Sequence, residues 1–209
     1  ACVAVYRLWR ELGGAAPAIM AGHSLGEYSA LVAAGVMQLA DAVTLVELRA
    51  TAMQEAVPAG EGAMAAVLGL DAEMVKLACA DVMKQNSGQV VEAVNFNDPK
   101  QIVIAGHKSA VERAADIAKE RGAKRALMLP VSAPFHSSLM QPAALRLRER
   151  LMSVTMKSPD IPIINNVDVT VLTEVVDIRD ALVRQAAAPA RWVEILLKMQ
   201  SLGVPPDLE

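Results

Sequence analysis

Aromatic side chains are scarce. Phe, Trp and Tyr together make up 3% of the 209 residues. A base-stacking surface for nucleic acid has little to be built from, and the core must be assembled from Ala, Val, Leu, Ile and Met. An excess of positive charge is also missing. Twenty Lys and Arg stand against 23 Asp and Glu, a net −3, which argues against a general nucleic-acid binder. It leaves room for a local basic patch that docks an acidic partner. Cysteine is limited to Cys2 and Cys79, with no C-x-x-C pair, and the three histidines (His23, His107, His136) show no H-E-x-x-H spacing. No metal site and no cofactor are expected from that inventory, and so low a thiol content suits a reducing compartment. No apolar run reaches the roughly eighteen residues of a membrane span, and the first residues lack the three-part signal-peptide pattern. A cytoplasmic protein with no membrane partner is expected.

Apolar residues make up 54% of the chain, enough for a substantial core in one domain carrying a smaller inserted one. Residues 1–12 read as a helix stopped by Gly13-Gly14. "PAIMAG" reads as a short buried strand, and helices follow over about 25–34 and 41–56. The pattern then changes. Residues 63–70 read as a strand, 71–85 as a helix capped by Asp71, 89–96 and 101–106 as strands, 109–122 as a helix capped by Ser109, and 123–130 as a strand. That order, β-α-β-β-α-β, is the ferredoxin-like pattern. Beyond it lie a helix over about 137–152, a strand at 160–166 and helices over 177–188 and 191–203. The expected architecture is α/β: an α/β-hydrolase-like core from residues 1–61 and 131–209, interrupted by a ferredoxin-like subdomain at 62–130, with the active cleft between them. The chain opens inside a helical pattern without an initiator Met and stops at "GVPPDLE", so both ends are expected to continue in a longer protein.

The most informative stretch is "AGHSLGEYSA", residues 21–30. Gly22-His23-Ser24-Leu25-Gly26 matches G-x-S-x-G, a sharp strand-to-helix turn that lifts a serine out of a sheet. Small residues two positions either side of Ser24 avoid clashes, and the helix that follows favours developing negative charge at its N-terminus. The competing reading is an N-cap serine between turn glycines. A reactive serine needs a base within hydrogen-bond reach. His23 is a poor base, because neighbours on a tight turn point apart. His107 sits at a turn of the small block and reads as structural. His136, in "PVSAPFHSSLM" where the chain re-enters the larger block, is favoured, with helix capping as its alternative. Arg49 lies beside an apolar stripe with Leu45 and Met53 on one helix face, and no acidic residue stands three or four positions away. It reads either as a fork for a substrate carboxylate or as an arginine with a long-range partner.

Four stretches in order, "GHSLGEYSAL", "LVELRATAMQEAVP", "VNFNDPKQIVIAG" and "APFH", resemble the motifs of the malonyl-CoA:acyl carrier protein transacylase family over roughly residues 1–203. The resemblance implies Ser24 as the acylated nucleophile, His136 as its base and Arg49 as the clamp on the malonyl carboxylate. It implies that His23, Met53 and Asn97 line or support the pocket, and that the Leu25 N–H is one oxyanion donor. Phe135, before the histidine, implies malonyl over the bulkier methylmalonyl. Malonyl-CoA and an acidic acyl carrier protein are the implied partners of a monomer. The basic landing site is sought at Lys119, Arg121, Lys124 and Arg125, or at Arg146, Arg148 and Arg150. The family's "GQGSQ" loop, with an oxyanion glutamine, has no counterpart here. The resemblance also puts a glutamine carbonyl that orients the histidine beyond residue 203. The expected consequence is weak or absent activity of these 209 residues alone.

Two other functions use the same residues. A serine hydrolase or thioesterase would share the elbow but normally adds an acid to the histidine; no Asp or Glu is clearly placed for that, and Arg49 would have little purpose. An inactive fragment that only binds carrier protein would keep the motifs without acylation.

Overall fold

The computed structural model describes residues 1–131 and 133–204. One block is built from helices α1 (Cys2–Glu11), α2 (Leu25–Ala33) and α3 (Leu39–Glu55), rejoined after the small block by α6 (Gln141–Ser153), α7 (Val175–Gln185) and α8 (Trp192–Ser201). Its sheet is short. Strand β1 (Met20–Ala21) pairs in parallel with β6 (Ile163–Ile164), which pairs antiparallel with β7 (Val171–Leu172). Helices α2, α3, α6 and α7 close over one core, where Leu31, Leu45, Leu147, Leu151 and Leu182 are buried together. Helix α1 buries none of its residues, and Val5, Leu8 and Leu12 on its apolar face are exposed.

The small block holds β2 (Gly62–Leu68), α4 (Ala72–Gln85), β3 (Val91–Asp98), β4 (Gln101–His107), α5 (Lys108–Glu120) and β5 (Arg125–Met128). The sheet order is β3-β4-β2-β5, and every pair is antiparallel. Helices α4 and α5 cover one face, enclosing Val67, Val75, Val82, Ile102, Ile104 and Val111. Met64, Val94, Val103 and Ala105 form the opposite face, and Phe135 packs against them. No described helix is long and apolar enough to cross a membrane.

The helix order follows the sequence pattern, and Asp71 does cap α4, accepting the Met74 N–H at 3.0 Å. Three local readings differ. The expected strands at 17–22 and 160–166 ladder over only two residues each. Pro162 stands directly before the second and has no N–H to extend the pairing. Ser109 does not cap α5: the helix starts one residue after His107, and the Ser109 hydroxyl instead accepts from Gln89 Nε2 at 2.9 Å. The helix expected from 137 begins as a 3-10 turn at Ser138–Met140 before α6.

The two blocks meet along β3. Ala190 pairs with its edge, donating to the Val94 carbonyl at 2.8 Å and accepting the Phe96 N–H at 3.0 Å. The β3–β4 register slips between Phe96 and Asp98. Asn97 is the extra residue there, and a bulge of this kind re-aims a side chain next to a site.

Candidate active site

Ser24 is the last residue before α2 and has φ 50 and ψ −107. A non-glycine residue with positive φ is held there by its surroundings. Gly22 permits the turn: a Cβ at that position would lie 2.0 Å from the Gly26 carbonyl carbon. The symmetrical expectation for Gly26 does not hold, because a Cβ there meets nothing within 4 Å. The close approach is therefore one-sided.

The Ser24 Oγ lies 2.7 Å from His136 Nε2 and accepts from Arg49 Nη2 at 3.0 Å. The tautomer follows from the other ring nitrogen. His136 Nδ1 faces two carbonyls, Gln185 at 2.9 Å and Ala188 at 3.2 Å. Carbonyls only accept, so Nδ1 carries the proton and Nε2 offers a lone pair to the serine O–H. Gln185 ends α7, so its carbonyl is one of those a helix leaves without an internal partner, and the negative end of the helix dipole favours an imidazolium. Ser24 lies at the opposite kind of terminus, the N-terminus of α2, which favours an oxyanion. Leu25 opens that helix and has no helical carbonyl a turn back to take its N–H.

Burial sets the protonation states. His136 is 4% exposed and its pKa is pushed down to about 4, by desolvation first and then by the Arg49 charge, against the pull of the Gln185 carbonyl. The ring is therefore a free base at neutral pH. Arg49 is also buried, and its pKa is lowered by desolvation while Glu27 opposes the shift. Its guanidinium carbon sits 5.7 Å from the centre of the Tyr28 ring. Ser24 accepts no side-chain cap bond from the α2 backbone, and His107 accepts the Val90 N–H at 2.9 Å within the small block.

His23 makes no hydrogen bond to Ser24 among the described residues. Its Nε2 meets Asn97 Oδ1 at 2.8 Å, and its ring stands edge-on to Trp192 at 5.6 Å. Met53 is buried in a cluster with Val57 and Met140 that Phe135 packs against. Of the basic clusters, Lys119 pairs with Asp116, Arg121 with Asp81 and Arg146 with Glu55. Lys124 and Arg125 are exposed and carry no ion pair among the described residues.

Three buried residues of the site escaped sequence reasoning. Asn166 accepts the Ser24 N–H at 2.7 Å and donates to the Gly22 carbonyl at 2.7 Å. Gln185 spreads its amide over Arg49, the Ser24 carbonyl and Glu27. Glu27 accepts from both Asn166 and Gln185. The resemblance put the histidine-orienting glutamine beyond residue 203. The carbonyl that holds His136 is that of Gln185, within α7. A glutamine closing an amphipathic helix on its buried side was the available signal.

Comparison with known proteins gives the chain's relatives. The acyl transferase domain model matches residues 2–192. Malonyl CoA-acyl carrier protein transacylase of Escherichia coli K12 is 56% identical over 204 residues, covering 98% of this chain and 65% of that protein. Its Bacillus subtilis counterpart is 49% identical over 207 residues, 99% of this chain and 64% of that protein. Among solved structures, an acyl carrier protein S-malonyltransferase from Vibrio cholerae superposes with a TM-score of 0.94 at 55% identity, over 98% of this chain and 66% of its own. The chain thus spans slightly less than two thirds of the relatives it matches. A sequence match across nearly the whole chain, together with the Ser24–His136 pair, establishes that it belongs to the acyl transferase domain family.

Proposed function

We propose that the protein carries malonyl from malonyl-CoA to the phosphopantetheine thiol of acyl carrier protein, through a malonyl ester on Ser24, for fatty acid synthesis. The observation that carries this reading is the Ser24 Oγ held between a base and a cation, 2.7 Å from His136 Nε2 and 3.0 Å from Arg49 Nη2. His136 takes the serine proton as the oxygen attacks the thioester carbonyl, and the CoA thiolate leaves. The carrier thiol then enters, gives its proton to His136, and displaces Ser24. The Leu25 N–H and the α2 N-terminus stabilise the oxyanion. Arg49, buried beside the serine, is suited to fork a free carboxylate. Phe135 and Met53 form the apolar wall that keeps the acyl group small. His23 and Asn97, joined to each other, brace the elbow against β3.

The strand order 2-3-1-4 within residues 62–130 supports a ferredoxin-like subdomain set into an α/β-hydrolase-like core made of 1–61 and 131–209. Lys124 and Arg125 suit an acidic carrier protein. Soluble thioester substrates fit a cytoplasmic setting, and a monomer suffices because all these side chains come from one chain. The similarity to the transacylases favours transfer over hydrolysis. So does His136, which is oriented by carbonyls where a triad would use a carboxylate.

Intact mass after mixing with malonyl-CoA tests the reading. One added malonyl group is expected, absent in Ser24→Ala. Arg49→Ala should slow malonylation by about 30-fold or more, since losing a buried charged partner costs about 2–5 kcal/mol, and should slow acetylation from acetyl-CoA less. Free malonate as the product in the presence of carrier protein would point to a hydrolase. Equal losses for both acyl groups would remove the clamp.

A further inference from the structure

Glu27 is a buried carboxyl that the acyl-transfer chemistry above does not use. It lies three residues after Ser24 in the first turn of α2 and is 3% exposed. An acidic residue in a first helical turn is ordinary when it faces water, where the helix dipole is reason enough for it. A buried one needs partners, and the partners here are specific. A single oxygen, Oε2, accepts the Asn166 N–H at 3.1 Å and the Gln185 Nε2 at 2.7 Å. Asn166 and Gln185 are themselves fully buried, and they come from distant parts of the chain, one just after β6 and the other at the end of α7.

Each of these two residues holds a different part of the reacting pair. Asn166 binds the elbow backbone on both sides of its apex, at the Gly22 carbonyl and the Ser24 N–H. Gln185 binds the Ser24 carbonyl with its amide and His136 Nδ1 with its backbone carbonyl, and it accepts from Arg49. The serine is thus fixed by Asn166, and the histidine by Gln185. Beyond the Ser24 backbone, which both residues bond, what joins Asn166 to Gln185 is the Glu27 oxygen between them. The elbow itself is strained at Ser24 and the histidine loop at His136, with φ 50 and 65. Strained backbone persists only where its surroundings over-determine it.

We propose that Glu27 is a positioning residue: one carboxylate oxygen ties the Asn166 segment to the α7 terminus and so sets the distance between the Ser24 oxygen and the His136 nitrogen. What matters is an acceptor oxygen at that point, more than its charge. The inference rests on the Ser24–His136 pair proposed above, but not on malonyl or carrier protein as substrates.

The test therefore uses a fluorophosphonate, which needs only an activated serine: the oxygen displaces fluoride from phosphorus and its proton passes to His136. Labelling rates are compared for the parent protein, Glu27→Gln, Glu27→Asp, Glu27→Ala, and Val82→Ala as a destabilised control in the small block. Glu27→Gln keeps an acceptor oxygen in place, and its rate should stay within about tenfold of the parent. Glu27→Asp withdraws the oxygen by a methylene, and Glu27→Ala removes it. Both should label about 100-fold slower, the loss that misplacement by about 1 Å produces. Val82→Ala should label at the parent rate. The proposal is overturned if Glu27→Ala labels like the parent, or if Glu27→Asp outperforms Glu27→Gln, which would make charge the operative feature. It is overturned too if Val82→Ala loses as much as Glu27→Ala. If Glu27→Ala yields no folded protein, the order of the Gln and Asp variants decides. A parent that labels with fluorophosphonate but takes no malonyl would overturn the substrate assignment and leave this inference to be scored on its own variants.

Discussion

The two blocks of this molecule bury opposite kinds of residue. Between residues 62 and 128 the described core is dry: valines, isoleucines and alanines between one sheet and two helices, with Cys79 as a buried thiol. Every buried polar or charged residue described lies in the other block or in the loop leading back to it: Glu27, Arg49, His136, Ser137, Asn165, Asn166 and Gln185. The non-glycine residues with positive φ, Ser24, His136 and Val169, lie there as well. One block is a scaffold that meets the rules of packing, and the other spends packing and backbone comfort on holding polar atoms in place. The scaffold contributes to the site through an edge, by offering β3 to Ala190 and Asn97 to His23.

The sharpest way to break the comparison is at the elbow. Gly22→Ala would put a Cβ 2.0 Å from the Gly26 carbonyl carbon and 2.4 Å from the Glu27 nitrogen. Backbone atoms cannot move aside cheaply, so the turn must open and the serine must shift. Acylation of Ser24 should fall by about 100-fold or more. Gly26→Ala, in the same motif, meets open space and adds a better helix former. It should raise stability by about 0.5–1 kcal/mol and leave the acylation rate near the parent value. Thermal unfolding and the initial rate of adduct formation, measured on both variants, check the pair. Equal damage at the two glycines would mean that the one-sided turn is misread.

A change of the opposite kind belongs in the small block. Val82 is fully buried between α4 and the sheet. Val82→Ala should cost about 2 kcal/mol through lost burial and a cavity, seen as a lower melting temperature, while the folded protein acylates at the parent rate. A large fall in rate would show that the scaffold is coupled to the site by more than the β3 edge.

The same division decided what could be read from the sequence. The small block was legible almost element by element, because alternation and helical spacing determine which side of a strand or helix is buried, and its helices and strands are near neighbours in the chain. The GHSLG turn was legible because a local backbone constraint leaves a local pattern. His136 was recognisable from its loop. The polar residues that hold these groups were not. Asn166 reaches Ser24 across 142 positions and Gln185 across 161. Neither periodicity nor composition records such a pairing: the place of Gln185 on the buried side of α7 marks it as buried but does not say what it holds. The short strands were over-read for a related reason. An apolar run shows burial, but ladder length depends on a partner strand that the run itself does not contain.

Acidity separates the blocks more finely. The pKa of His136 is pushed down to about 4 from 6.5, mainly by burial. The unfolded chain therefore binds a proton there between those values while the native protein does not, and this group destabilises the fold as pH falls from about 6.5 to 4. Glu27 does the reverse. Burial pushes its pKa up to about 7 from 4.5, against the hydrogen bonds from Gln185 and Asn166. The native protein keeps a proton that the unfolded chain has lost, so stability falls as pH rises from 4.5 to about 7. Between 4.5 and 6.5 the two slopes oppose each other, and the small block adds none of its own from Cys79, whose pKa is held up at about 12 by burial. The parent should therefore show a nearly constant melting temperature across that window. Glu27→Gln removes one slope and exposes the other, so its melting temperature should drop progressively as the buffer is taken from pH 6.5 to 4.5. Val82→Ala should be less stable at every pH with the parent's flat profile. If Glu27→Gln were equally flat, the flat profile of the parent could not be the sum of two opposing slopes from these buried groups.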